Sequence, residues 1–270
     1  MMWPASEKLM EDYKTSEKSA SWLAKLFPSL VYYPRAFFVV LNAARMAEKG
    51  LYDRAAWASS SRGITRALEG SGVQMTIKNV AVLKKLDSPC VFVGNHMSTL
   101  ETFVLPAIIQ PHLDVTFVIK QSLIEYPVFK HVMQSCDPVV VNYSSPREDL
   151  KTMLTGGVER LQKGVSMVVF PQGKRTTGFD QEKFNSIAVK IAKRAGVPVV
   201  PVALRTDAWG SDGWKVRDFG KIRPQCPVHF EFGEPMQIEG NGRDNQAELA
   251  EFIGSRYRKW TEDSPIPQQW

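Results

Sequence analysis

The feature that most constrains the fold is a change in hydrophobic period near residue 73 of this 270-residue chain. From that point onward, short runs rich in β-branched residues alternate with longer stretches of helical period. This alternation predicts an α/β fold with a largely parallel central sheet flanked by helices. We predict strands over residues 73–80, 90–94, 115–119, 138–141, 166–170, 197–204 and 228–232, and helices over residues 98–110, 146–163, 182–195 and 243–260.

The residues before this point predict an N-terminal amphipathic helical segment. We place this segment at residues 1–72 and the α/β domain at residues 73–270. Apolar and aromatic residues recur at helical spacing from Trp22 to Phe38, and basic residues flank them. This combination is typical of helices that lie in a membrane interface, so we expect the segment to serve in membrane association. A helical hairpin that only packs on the α/β domain is the alternative.

Neither a membrane-spanning helix nor a secretory signal is predicted. The longest apolar run near the N-terminus covers residues 30–41 and contains Pro34 and Arg35. A spanning helix needs roughly 20 apolar residues, so this run is too short. Residues 1–14 carry mixed charge and lack an apolar signal core. We therefore expect a peripheral or monotopic protein at the cytoplasmic face of the cell membrane.

The composition narrows the classes of partner. Hydrophobic residues make up 44% of the chain, which favours one large α/β domain over two independent domains. The net charge of +6 suits anionic partners such as phospholipid headgroups, nucleic acid or acidic carriers. We predict no nucleic-acid partner because no recognised nucleic-acid-binding motif is present.

Neither a disulfide nor a metal site is predicted. Cys90, Cys136 and Cys226 lie far apart in the sequence, and the histidines lack the spacing of metal ligands.

A histidine and a carboxylate follow the strand predicted at residues 90–94. A neutral imidazole can take a proton from an alcohol, and a carboxylate on its other ring nitrogen fixes the tautomer and stabilises the imidazolium. His96 is expected in the loop and Glu101 in the first turn of the next helix, with Ser98 as the N-cap. The alternative is a capping box in which Glu101 binds the Ser98 amide, which requires no catalysis.

A second motif places two cations after another buried strand. Pro171 ends the strand that contains Phe170, and Gly173 allows a tight turn. Arg175 offers a planar fork of donors suited to phosphate, and Lys174 adds a point charge. The segment lacks the pattern of a P-loop, and a solvated basic turn is the alternative interpretation.

Both motifs follow predicted strands of the same sheet. In open α/β sheets, ligands gather at the carboxyl ends of the strands. His96 lies just after the strand at residues 90–94, and Arg175 lies just after the strand at residues 166–170. We therefore expect the imidazole and the guanidinium to face one crevice.

Taken together and in this order, the motifs resemble those of the glycerolipid acyltransferase family, whose patterns are NHxSxxD, FPEGTRS and VPxVPV. The resemblance covers roughly residues 75–235. The matching residues are Asn95, His96, Ser98, Phe170, Pro171, Gly173, Arg175, Val197, Pro198, Val200, Pro201 and Val202, with Lys120, Leu123 and Pro127 in a weaker middle segment.

The resemblance implies a reaction and a set of residues. His96 would be the general base on the acceptor hydroxyl, and Glu101 would orient it. The acceptor would be a lysophospholipid, in the first place 1-acylglycerol-3-phosphate, and the donor an acyl thioester on coenzyme A or acyl carrier protein. No cofactor, metal or acyl-enzyme is implied. The residues expected to bind substrate are Asn95, Ser98, Lys120, Gly173, Lys174 and Arg175.

Three departures from the family pattern bear on the charge or geometry of the site. Glu101 replaces an aspartate, Gln172 a glutamate and Lys174 a threonine. The last two changes remove a negative charge and add a positive one beside the expected headgroup pocket. They leave open a different lysolipid headgroup, or a lipid-binding protein that retains the fold without catalysis. A serine hydrolase is disfavoured because the chain contains no GxSxG elbow.

Overall fold

A computed structural model describes residues 9, 11–16, 21–142, 145–211 and 219–266, apart from the side chains of residues 127–129. The described residues form an α/β fold around a mostly parallel sheet, which confirms the predicted fold class. The strands follow the order β1-β2-β8-β7-β3-β6-β4-β5, and only the β1–β2 and β7–β8 pairs among them are antiparallel. Their bounds are β1 Tyr13–Lys14, β2 Met75–Lys78, β3 Val91–Gly94, β4 Val115–Lys120, β5 Val139–Val141, β6 Ser166–Val169, β7 Val199–Arg205 and β8 Val228–Phe232.

Helices cover both faces of the sheet. They are α1 Trp22–Leu26, α2 Pro28–Glu48, α3 Arg54–Gly70, α4 Leu100–Ile109, α5 Gln121–Glu125, α6 Pro127–Ser135, α7 Pro146–Gln162, α8 Ile187–Ala195 and α9 Arg243–Asp263, with a 3-10 helix at Val80–Lys85.

Two differences from the predicted elements have local causes. Helix α8 begins at Ile187 rather than at residue 182, because the Asn185 side chain accepts the Ile187 amide at 3.0 Å and holds a turn there. Strand β1 lies within the segment predicted to be helical. It exists because it pairs with β2 across the fold, and two residues are too few to carry a period of their own.

The central strands are buried on both faces, as expected for parallel sheets. Val91 and Val93 of β3 point into a core with α8 and α9, while Phe92 points into a second core with α3 and α4. Burial of one such side chain stabilises the fold by about 1.5–3 kcal/mol. Their rigid packing fixes the position at which β3 ends, and the first motif begins there.

The N-terminal helices share this core. Ile64 and Leu68 of α3 are buried in the same cluster as Phe92 of the sheet. A Cβ at Gly63 would lie 3.0 Å from Val39, so α2 and α3 approach closely at this glycine. The boundary predicted at residue 72 therefore does not coincide with a break in the core. None of the helices in the described ranges combines the length and apolar composition needed to cross a bilayer.

Candidate active site

The loop that carries His96 is fixed to β7 by Asn95. Its side-chain amide donates to the Leu204 carbonyl at 2.8 Å, and its amide oxygen accepts the Leu204 N–H at 3.0 Å. Asn95 is buried and contributes nothing to the cavity wall described below. It was predicted to bind substrate, but the contacts in the structure position the loop, and a binding role stays a prediction.

His96 and Glu101 form a hydrogen-bonded pair. The imidazole Nδ1 lies 2.7 Å from Oε1 of Glu101, and the ring has 19% of its side-chain surface exposed while the carboxylate has 0%. Burial raises the pKa of Glu101, but hydrogen bonds and the charge of His96, together with a hydrogen bond from Thr206, outweigh it and leave the pKa lowered. Glu101 is therefore an ionised carboxylate at neutral pH, and Nε2 is the ring nitrogen available to an acceptor.

The Glu101 contacts expected from both interpretations of this motif are present, and the catalytic role stays a prediction. Oε1 of Glu101 accepts the amides of Met97 at 2.7 Å and Ser98 at 3.0 Å while it also contacts the imidazole. The carboxylate thus caps the helix start and orients His96 at once. The expected N-cap was wrong by one residue. Helix α4 starts at Leu100 with Thr99 as the cap, and the buried Ser98 hydroxyl accepts the Leu100 amide at 3.1 Å. A substrate-binding role for Ser98 stays a prediction.

The second motif lies directly against the first. Gly173 adopts φ +67°, which closes the turn after β6. Phe170 stacks on the His96 ring with centroids 4.4 Å apart and planes 6° apart. The Thr176 amide donates to the His96 carbonyl at 2.9 Å, and the His96 amide donates to Oε1 of Gln172 at 2.9 Å. The expected convergence of the two motifs is confirmed.

Arg175 lies at the N-terminal end of α4. Its Nη1 donates to the hydroxyl of Thr99, the N-cap residue, at 2.5 Å. The Glu101 carboxylate already accepts the amides at this helix start, so the guanidinium is the group that supplies positive charge here. A phosphate site requires such a charge.

A single cavity joins these groups. It has a volume of about 1240 Å³ and is lined by His96, Lys120, Gly173, Lys174 and Arg175. No acidic side chain of the described residues lines it, so the charge that its lysines and arginine contribute is positive, and its neutral polar groups are Ser, Thr and Tyr hydroxyls. Helices α2 and α3 and strand β4 supply the apolar part of the wall, including Val39, Ala43, Trp57, Ile64, Phe117 and Ile119.

Residues 74–205, which include both motifs, match the family model described as Acyltransferase. This part of the chain is therefore similar to the acyltransferase family. This agrees with the resemblance drawn from the motifs.

Individual relatives carry more specific names. The chain is 28% identical over 248 residues to 1-acyl-sn-glycerol-3-phosphate acyltransferase of Pseudomonas aeruginosa, covering 90% of this chain and 84% of that protein. It is 32% identical over 128 residues to the chloroplastic 1-acyl-sn-glycerol-3-phosphate acyltransferase BAT2 of Brassica napus, covering 47% of this chain and 36% of that protein. The second match thus spans only about a third of the plant protein.

A solved structure has the same fold. The 1-acyl-sn-glycerophosphate (LPA) acyltransferase PlsC from Thermotoga maritima aligns with a TM-score of 0.63 at 17% sequence identity. The alignment covers 90% of this chain and 95% of that one. The common fold therefore extends well beyond the two motifs.

Several residues of the candidate site make contacts that the sequence did not predict. From the sequence, Gln172 was expected only to remove a negative charge beside the headgroup pocket. Its side chain instead binds the His96 amide and donates to the Thr176 hydroxyl at 2.8 Å, and it is not part of the cavity wall. An amide can donate and accept at once, which was the available signal for a bridging role. Thr99 and Thr206 gave no comparable signal.

Proposed function

We propose that this protein is a membrane-surface O-acyltransferase. It moves an acyl chain from an acyl thioester to the free hydroxyl of a lysophospholipid, with 1-acylglycerol-3-phosphate as acceptor and phosphatidic acid as product. One observation carries the proposal. A histidine paired with a buried carboxylate lines a cavity whose other charged side chains, among the described residues, are cations and whose wall also includes a large apolar part. The names of the relatives favour the same acceptor.

The arrangement of the pair supports direct acyl transfer. Nδ1 of His96 donates to Glu101, so Nε2 takes the proton from the acceptor hydroxyl. The alkoxide oxygen attacks the thioester carbonyl, and collapse of the tetrahedral adduct breaks the C–S bond. The protonated imidazole returns its proton to the departing thiolate. Throughout, the negative charge of Glu101 stabilises the transient imidazolium.

The cations of the cavity suit the phosphate of the acceptor. Arg175 is held at the start of α4 by the Thr99 hydroxyl. Lys174 and Lys120 are exposed and line the same cavity. A phosphate bound by Arg175 would place the glycerol hydroxyl within reach of the imidazole, because the two loops are hydrogen-bonded to one another. The apolar wall from α2, α3 and β4 suits the acyl chains.

An exposed apolar surface on α1 and α2 supports a position at a lipid surface. Single exposed apolar residues are common, but a contiguous patch marks an interaction site. Val39 and Val40 of α2 line the cavity, so the helix that carries part of the patch also forms part of the cavity wall. We place the protein at the cytoplasmic face of the membrane as a peripheral or monotopic protein. The exposed residues of the patch are Trp22, Leu23, Leu26, Phe27, Leu30, Phe37 and Phe38.

A second acceptor class is favoured by Lys174. This cation replaces a neutral residue of the family pattern and lines the cavity, so a lysolipid with a more anionic headgroup is the alternative substrate.

A panel of acceptors tests the proposal. Purified protein is supplied with lysolipids that differ in headgroup. The acyl donor is either acyl-coenzyme A or an acyl chain carried as a thioester on acyl carrier protein. We expect phosphatidic acid from 1-acylglycerol-3-phosphate at the highest kcat/KM. A higher value on another headgroup would favour the alternative acceptor. Binding to anionic vesicles without turnover on any lysolipid would refute the enzymatic proposal.

A further inference from the structure

The carboxylate of Glu101 has a second oxygen that makes no contact with His96. Oε2 lies 2.6 Å from the hydroxyl of Thr206, the shortest contact that the carboxylate makes among the described residues. An ionised carboxylate can only accept, so Thr206 must donate its proton to it. A charge-assisted hydrogen bond of this length is among the stronger ones in proteins.

Ser98 completes the arrangement. Its hydroxyl oxygen lies 3.0 Å from both the carbonyl and the hydroxyl oxygens of Thr206, and 3.1 Å from Oε2 of Glu101. A serine has one proton to give, so only one of these contacts is a donation by Ser98 at a time. Thr206 therefore connects the end of β7 to both Ser98 and Glu101 in the catalytic loop.

The backbone around Thr206 is held rigidly by its two neighbours. Arg205 and Asp207 form a bidentate ion pair with distances of 2.8 Å and 3.0 Å, and both side chains have 0% exposure. Arg205 also donates to the Trp260 carbonyl of α9. This buried clamp across residues 205–207 fixes the direction in which the threonine hydroxyl points.

We propose that Thr206 is a positioning residue of the reaction, which holds the plane of the Glu101 carboxylate so that Oε1 meets Nδ1 of His96. The backbone amides of Met97 and Ser98 locate Oε1, and the Ser98 amide also reaches Oε2 at a longer distance of 3.1 Å. Thr206 makes the shortest contact to Oε2, at 2.6 Å, and therefore holds this oxygen most firmly. This contact matters here because glutamate has one more rotatable bond than the aspartate that it replaces.

The role rests on the proposed function, but its test does not require turnover. The pKa of Glu101 is measured by NMR titration of its side-chain carboxyl carbon, assigned by its loss in Glu101→Gln. Thr206→Val keeps the shape and removes the donor, whereas Thr206→Ser keeps the donor. We expect the pKa of Glu101 to rise in the valine variant, because a donor to the charged form is lost, and to stay close to wild type in the serine variant.

The substitutions at position 206 leave every other ionisable side chain around Thr206 in place. Arg205 and Asp207 flank Thr206, and Arg175 contacts the cap of α4. Three further groups interact with the Arg205–Asp207 pair: Cys226 from the loop before β8, His229 from β8 and Tyr257 from α9. The difference between wild type and the valine variant of the same shape therefore reports loss of the hydroxyl, and the serine variant tests whether a hydroxyl at this position is sufficient.

Kinetics supply the second measurement. For Thr206→Val we expect kcat to fall roughly tenfold, with the acceptor KM close to wild type, because a positioning contact supplies part of the general-base effect. The serine variant should recover most of the activity. If the valine variant does not fold, Thr206→Ala takes its place with the same expectations.

An unchanged Glu101 pKa in the valine variant, or equal rates for the valine and serine variants, would overturn the role of Thr206. Absence of turnover by wild type, with the expected pKa difference intact, would count against the proposed function alone. The two failures are therefore distinguishable.

Discussion

Thr176 donates its backbone N–H to the carbonyl oxygen of His96 at 2.9 Å. This contact joins the residue after Arg175 to the proposed general base. A second bond, from the His96 amide to Gln172, makes the connection reciprocal. The distance between the base and the cationic group is thus set by two hydrogen bonds between the loops, one between main chains and one from the His96 main chain to the Gln172 side chain, and a shift of either loop would move both.

Glu101 makes the stability of the protein sensitive to acid. Its pKa is lowered, because hydrogen bonds to the carboxylate outweigh the effect of burial. A lowered pKa contributes stability that is present above the ordinary value of 4.5 and is lost as pH falls through the folded value. We predict that Glu101→Gln is less stable than wild type at neutral pH by about 1–3 kcal/mol. The difference should shrink below pH 4.5, as measured by thermal unfolding. A gap that is independent of pH would contradict this assignment.

Arg175 is expected to act mainly on acceptor binding. Loss of a charge-assisted contact to phosphate costs roughly 1.5–3 kcal/mol, so Arg175→Ala should raise the acceptor KM roughly 10- to 100-fold. The acceptor KM of Arg175→Lys should lie between those of wild type and the alanine variant, because lysine keeps the charge but not the planar fork. Steady-state kinetics with varied acceptor measure both effects. A near-normal KM in the alanine variant would exclude the phosphate role.

Lys174→Thr installs the residue of the family pattern. Lys174 is exposed, so the loss of its charge should raise the acceptor KM only a few-fold and should weaken the dependence of KM on salt. Lys190→Thr is the matched control, since Lys190 is also exposed but is not part of the cavity wall. Equal effects of the two substitutions would mean that Lys174 acts only through net charge.

Substitutions in the apolar patch should weaken membrane binding without unfolding the protein. Phe37 and Phe38 are 59% and 67% exposed, so replacing both by serine should leave the fold intact. We expect the double variant to lose most of its binding to anionic vesicles in a flotation assay. Leu150→Ser on α7 is the control, because Leu150 is an exposed apolar residue outside the patch. Vesicle binding equal to wild type would remove the patch from the membrane interface.

Much of the fold was predictable because the central strands carry strong local signals. Buried β-branched runs such as residues 166–169 and 199–205 have no helical alternative of similar quality. Boundaries moved by a few residues where side chains cap a turn, as Asn185 does. The short strand β1 depends on pairing across the fold, which no local pattern encodes.

The sequence identified the imidazole, the carboxylate and the guanidinium of the candidate site, but not the residues that hold them in place. His96, Glu101 and Arg175 could be found because their chemistry is unusual at strand ends. Thr99 and Thr206 are ordinary threonines in sequence, and only the folded chain brings them to Arg175 and Glu101. The helical segment at the N-terminus was foreseen, but its contribution to the cavity wall depends on tertiary packing.

The measurement that tests the central claim most directly is the rate of phosphatidic acid formation by His96→Ala, compared with wild type and with His131→Ala. His131 lies on α6 and is not part of the cavity wall. We predict that His96→Ala loses roughly 10²–10⁴-fold in kcat while it remains folded, because the general base is absent. His131→Ala should retain the wild-type rate. A folded His96→Ala variant that is as active as wild type would contradict the mechanism.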